Sequence, residues 1–174
     1  MITIVAIDPG TTHNGVVVLN ADTGAVVFGA ILPHAATLCS ITNWRMFPGG
    51  HLAVEMIASY GMPVGREVFD TCLWIGRFLH HWHGDIDPHP ESLVYRREVK
   101  LELCGSTKAN DANVRQAIVD IYGGSMKAAK GTKSDPGPLF GFKADMWQAL
   151  GVALTYRERL RRLSGEALPT PARL

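Results

Sequence analysis

The chain has 174 residues, 47% of them apolar and 19% charged, which is enough to bury a core and too short for a two-lobed kinase or a (β/α)8 barrel. Its formal net charge of +1 hides a division: residues 1–95 hold three basic groups against eight acids, and residues 96–174 hold the other fourteen basic groups against eight acids. That division predicts an acidic centre beside a basic face suited to a polyanion.

Residues 2–7 (Ile-Thr-Ile-Val-Ala-Ile) are β-branched and apolar and read as a buried strand, broken by Asp8-Pro9-Gly10. Gly15 to Asn20 and Gly24 to Leu32 form a second and a third strand, with Asp22-Thr23-Gly24 as hairpin chemistry between them. A three-strand antiparallel meander results. Residues 33–48 read as a short helix with loops, and His51 to Ile57 as a fourth strand. Gly61-Met62-Pro63-Val64-Gly65 breaks that strand. From Arg66 to His83, Val68, Cys72, Ile75, Leu79 and Trp82 recur at helical spacing, and Gly84 stops the helix. Leu93 to Arg96 is a fifth short strand, and two helices follow at about Val99–Cys104 and Asp111–Tyr122, with Asn110 or Asp111 as N-cap of the second. Gly123 to Gly141 contains five Gly, two Pro and three Lys and reads as a loop. The last helix runs from about Ala144 to Leu163, with Met146, Ala149, Leu150, Ala153 and Leu154 as its core stripe. Residues 1–163 are expected to form one domain, and 164–174, with Pro169 and Pro171, a frayed tail.

Three strands in a meander, then alternating helix and strand, is the ribonuclease-H-like order. It predicts an α/β fold with a mixed five-stranded sheet, three strands antiparallel and then two parallel, and helices on both faces.

Three acids occupy telling positions. Asp8 ends the first strand, Glu55 lies inside the apolar fourth strand, and Asp145 opens the final helix. A carboxylate in a buried strand is costly unless neutralised. A divalent cation relieves both that cost and the repulsion between converging acids, and oxygen ligands favour Mg2+ or Mn2+. Two such ions about 3.5–4 Å apart suit phosphodiester cleavage. Taken singly, Asp8 also reads as a turn cap and Asp145 as a helix first-turn acid; Glu55 has the weakest structural explanation, because strand interiors rarely accept Glu. Cys39, Cys72 and Cys104 form no CxxC pair and read as buried, reduced thiols. His80, His81, His83 and His89 with Asp85 and Asp87 fit no closed zinc pattern. Gly131-Thr132 stands where a phosphate-binding loop needs lysine, and the Asp8–Gly15 turn has only one lobe around it, so no nucleotide cofactor is expected. No apolar run approaches the ~20 residues that span a bilayer, and no basic segment precedes the first strand, so a cytoplasmic protein without membrane attachment is expected.

Ile4-Val5-Ala6-Ile7-Asp8-Pro9-Gly10-Thr11-Thr12, followed by Gly15, resembles the first motif of RuvC-type Holliday-junction resolvases. Val54-Glu55 ahead of a glycine-containing helix resembles the second. Val99-Lys100, Gly105-Ser106 and Asn113-Val114 resemble the basic segment, and Asp145 to Ala153 the final acid-bearing helix. Gly61 to Gly65, and Gly131-Thr132-Lys133 leading to Pro136-Gly137-Pro138-Leu139, are similar to compact phage and prophage members. The likeness covers residues 2–156.

The resemblance implies a crossover junction endodeoxyribonuclease acting as a homodimer on branched, four-way DNA in recombination, repair or phage DNA processing. Asp8, Glu55 and Asp145 would hold two Mg2+ or Mn2+ ions per site, with Gln148 as a fourth ligand, and water would attack phosphorus in line. Lys100 or Lys108 would stabilise charge on the phosphate. Lys100, Lys108, Arg115, Lys127, Lys130 and Lys133 would contact backbone phosphates, and Tyr60 would stack on an unpaired base or serve packing. Two positions depart from the family pattern. Gln148 stands where another acid or a His is usual, and Asp111 stands near a usual Lys, either as an N-cap or with Lys108 taking the basic role. A relative acting on an RNA–DNA hybrid, flap or fork, and a non-catalytic junction binder, remain the rival readings.

Overall fold

The computed structural model describes residues 2–46, 49–84 and 90–165. Strand β1 (Thr3–Pro9), β2 (His13–Asn20) and β3 (Val26–Pro33) form the antiparallel meander. Helix α1 (His34–Arg45) leads to β4 (Gly50–Met56), which pairs parallel to β1. Helix α2 (Arg66–His83) follows, then a 3-10 turn at Pro90–Ser92 and β5 (Leu93–Tyr95), parallel to β4. Helices α3 (Arg96–Cys104), α4 (Asp111–Ile121), α5 (Met126–Lys130) and α6 (Met146–Ser164) complete the chain. The sheet order is β3-β2-β1-β4-β5, the mixed five-stranded arrangement that the order of elements predicts.

Several boundaries differ from the sequence reading for local reasons. The fifth strand stops at Tyr95, not Arg96, because Glu98 reaches back to accept from the Tyr95 backbone N–H and starts α3 three residues early. Asn110, not Asp111, caps α4: its side chain accepts from the Asn113 N–H, and Asn113 accepts from the Asn110 N–H. The segment from Gly123 to Gly141 is not all loop. Ser125 accepts from the Ala128 N–H and nucleates α5, whose Ala129 is fully buried. Ser164 still belongs to α6, while residues 166–174 of the expected tail, and Asp85, Asp87 and His89 of the histidine-rich stretch, lie outside the described residues. The cysteines are not buried as expected: Cys39 is exposed on α1, and Cys72 and Cys104 are half-buried on α2 and at the end of α3.

Two apolar layers sandwich the sheet. Val5 and Ile7 of β1 and Leu52 and Val54 of β4 face Ile75, Phe78, Leu79 and Trp82 of α2. Ile4 and Ala6, with Ala53, Val17 and Leu19, face α6 and α4 instead. Strand periodicity therefore aims the next α6-facing positions, Asp8 and Glu55, toward the start of α6. That helix lies almost flat on the sheet, which glycine permits. Gly15 is opposite Asp8, and a Cβ built on it would sit 2.2 Å from the Asp145 carbonyl oxygen. Gly29 gives similar room to Met146 and Phe142. At its other end α6 is held by fully buried Arg157, whose Nε donates to the Ala21 carbonyl at 2.5 Å.

Gly15→Ala is expected to push the α6 N-terminus off the sheet and cost about 1–3 kcal/mol, measurable by urea unfolding. An unchanged midpoint would show that α6 does not press on β2.

Candidate active site

The candidate site sits at the carboxyl ends of β1 and β4. The parallel register pairs Ile7 with Val54, so Asp8 and Glu55 project side by side just beyond that rung. Their carboxyl groups are within hydrogen-bonding reach of each other. Burial, then the negative charges of Glu55 and Asp145, push the Asp8 carboxyl up to about 8, against a partial pull downward from Arg96. Burial also raises Glu55, with Arg96 as the largest opposing influence. Two carboxyl groups this close share a proton at neutral pH. The Glu55 side chain is only 13% exposed, and its Oε2 is buried without a hydrogen-bond partner.

Asp145 comes from the opposite side. It is the N-cap of α6, its side chain makes no cap hydrogen bond, and it is exposed at the rim. Ala144 before it holds a left-handed backbone, φ 38°, unusual for a residue with a Cβ. That turn and the Gly15 contact bring Asp145 close enough to raise Asp8 electrostatically. The three acids singled out in the sequence therefore lie at one edge of the sheet. Among the described residues, however, no three His, Cys, Asp or Glu side chains close into a cluster able to hold a metal ion. The assembled part is the Asp8–Glu55 pair, with Asp145 alongside. Gln148 is half-buried one turn along α6 and makes no side-chain hydrogen bond to a described residue.

A cleft of about 190 Å3 opens beside the pair, lined by Asp8, Pro9, Glu55, Met56, Ile57, Ala58, Tyr60 and Arg96. Tyr60 is 62% exposed and left-handed, φ 48°, next to Gly61, so its ring stands at the mouth rather than in the core. Lys100, half-buried on α3, pulls down the pKa of both Glu55 and Asp111. Arg115 acts in the same direction on Asp111 and lies over the Trp147 ring at 5.5 Å. Lys108 is exposed in the turn before α4. Lys127, exposed, and Lys130, half-buried, ride on α5, and Lys133 is exposed just after it; none of these four is among the charges that shift Asp8 or Glu55.

Arg96 is the residue that sequence reasoning missed. The sequence places it at the end of the fifth strand and gives it no role. As the first residue of α3 it points back over β4, donating to Asp111 at 2.5 Å and lying 4.0 Å from Glu55 Oε2, too far for a hydrogen bond. The hydrogen bond from Arg96 holds the Asp111 carboxyl below the usual range. The available signal was Glu98 three residues after Tyr95, a helix-start pattern that moves Arg96 into the first turn.

No family model matches the chain, and no curated protein matches it. Among solved structures, Thermus thermophilus RuvC in complex with Holliday junction substrate has TM-score 0.62 and 20% identity, covering 94% of this chain and 98% of that one. A structure of Thermus thermophilus RuvC has TM-score 0.58 and 19% identity, covering 97% and 99%. The protein has the RuvC-type, ribonuclease-H-like fold across nearly its whole length.

The raised Asp8 pKa has a consequence for stability. Folding lifts this carboxyl from 3.8 to about 8, so the folded chain binds more protons than the unfolded chain between those values. Stability falls as pH rises through that window, and the full penalty is present above it. Without added metal, Asp8→Asn should raise the melting temperature by several degrees at pH 9 and by about a third as much at pH 5, where only the lower part of the window has been crossed. Equal shifts at the two pH values would contradict a shared-proton pair.

Proposed function

We propose that the protein is a divalent-metal-dependent, structure-selective DNA endonuclease that resolves four-way junctions. The observation that carries this reading is the buried Asp8–Glu55 pair, which burial and the charge of Glu55 upon Asp8 make costly to keep. The fold shared with a junction-bound RuvC supports the choice of branched DNA as substrate. The donor set suits a hard cation, since it offers carboxylate oxygens, including the unpartnered Glu55 Oε2, and no thiolate or imidazole. Asp8 and Glu55 would hold Mg2+ or Mn2+ between β1 and β4, Asp145 would turn in from the rim, and Gln148 would contribute its amide oxygen. When bound, such ions supply Lewis-acid activation of water and neutralise charge on the phosphate.

The chain's own groups do the rest. The Asp8–Glu55 pair gives up its shared proton as it takes up cation, so metal affinity should strengthen with pH. Lys100 on α3 acts on Glu55 of that pair and would offset charge on the scissile phosphate. Tyr60 at the cleft mouth would stack on a base opened at the junction centre. Lys108, Arg115, Lys127, Lys130 and Lys133 would track backbone phosphates on the basic half of the chain. Glu55→Gln is expected to lower Mg2+-dependent nicking of a synthetic four-way junction by about 100-fold or more while leaving junction binding largely intact. A Glu55→Gln chain that nicks like the parent would refute the assignment. The rim position of Asp145 favours one other reading, a junction binder without nuclease activity. Binding with no Mg2+- or Mn2+-dependent nicking on junction, flap, fork or hybrid substrates would support it.

Symmetric resolution needs two sites, and a homodimer supplies them. Helix α2 offers a face for it. Phe69 and Leu73 are 64% and 65% exposed one turn apart, with Met62 and Val64 exposed just ahead. Large side chains left in water at helical spacing suit a partner helix. Replacing both Phe69 and Leu73 with Asp should convert a dimer into a monomer in sedimentation and turn paired nicks into single ones. A parent chain that sediments as a monomer at micromolar concentration, with or without junction DNA, would remove the dimer from this scheme.

A further inference from the structure

Arg96 has two edges in different circumstances. Its Nη2 is committed to Asp111 Oδ1 at 2.5 Å. Its Nη1 is buried without a hydrogen-bond partner, and 4.0 Å away Glu55 Oε2 is buried without one as well. A plain structural counter-ion for Glu55 would close that distance into a hydrogen bond, because an unpaired buried donor is costly. Arg96 does not close it. Asp111 holds the guanidinium back, so Nη1 is left buried and unpaired beside the cleft that Arg96, Asp8 and Glu55 line together. A planar guanidinium can grip a carboxylate with one edge and a phosphate oxygen with another, which a single ammonium cannot do. Lys100 lies close enough to act on both Glu55 and Asp111, and Arg115 on Asp111. Arg96 thus lines a cleft with an acidic floor, and Lys100 and Arg115 bring further positive charge to its Asp111 partner.

Resting on the nuclease reading above, we propose that Arg96 is a catalytic residue that binds a non-bridging oxygen of the scissile phosphate through Nη1, and that Asp111 is its positioning residue. An acid stands at position 111, and the cation beside it comes from an arginine at the start of α3.

The test uses the full chain and a fluorescent four-way junction. Junction affinity is measured in Ca2+ across a salt series, and nicking is measured in Mg2+. Arg96→Gln should reduce the slope of log affinity against log salt by about one and lower kcat/KM about 100-fold. Arg96→Lys should keep the parent slope yet lose about tenfold or more in kcat, because the ammonium must choose between Asp111 and phosphate. Asp111→Asn should keep the slope and KM while lowering kcat. A folded Arg96→Gln chain with the parent slope overturns the assignment. Should Arg96→Gln not fold, an Arg96→Lys chain with full kcat overturns it, since a mere counter-ion for Glu55 would survive that exchange. A parent chain that nicks no branched or hybrid substrate overturns the nuclease reading itself, whatever the Arg96 variants do.

Discussion

Two carboxyl groups forced together at the edge of a sheet are the constraint around which this molecule is organised. Neither Asp8 nor Glu55 stabilises the fold where it stands. Burial penalises each as an anion, and the charge of Glu55 penalises an ionised Asp8 further. The surrounding apolar layers supply the stability that tolerates them: β1 and β2 are buried almost throughout and β4 through its middle, and apolar clusters pack on both faces of the sheet. The best-packed strands therefore carry the least comfortable groups. Rigid strands fix the two acids in register, which a pair of loops could not do.

The charged groups around that pair are arranged in order of depth. Asp8 and Glu55 lie innermost, Arg96 stands beside them tied to Asp111, and Lys100 and Arg115 come from α3 and α4. Tyr60 and Asp145 occupy the rim. Cations and an aromatic ring thus stand outside the buried acidic pair, with the acid Asp145 also at the rim. Under the proposed function, positive groups around a buried negative floor are what would let such a site accept a polyanion.

Much of this was legible in the sequence, for identifiable reasons. Strands β1 and β4 are continuous β-branched and apolar runs, so an acid inside or ending them stands out. Helix α2 matches its predicted span because Gly65 and Gly84 bracket an unbroken helical period. The failures are also physical. Helix α5 escaped notice because five residues carry too little periodicity, and its anchor, Ala129 under Leu139, is a tertiary contact. Arg96 was read as the end of a strand because β5 is only three residues long and the capping by Glu98 outweighs local strand preference. The rim placement of Asp145 could not be foreseen either. It depends on a left-handed Ala144 and on the absence of a Cβ at Gly15, and both are properties of close approach rather than of pattern.

Helix α6 also works as a lever. Its fulcrum is the clamp of Arg157 on the β2–β3 turn, twelve residues from Asp145, a span of about 18 Å at helical rise. A tilt of only about 3° at that pivot swings the acidic tip by about 1 Å. Substitutions around Ala21, Asp22 and Arg157, remote from any chemistry, would thus behave as alignment errors at the far tip. The turn that joins two plain strands acts as the bearing on which the third acid is aimed.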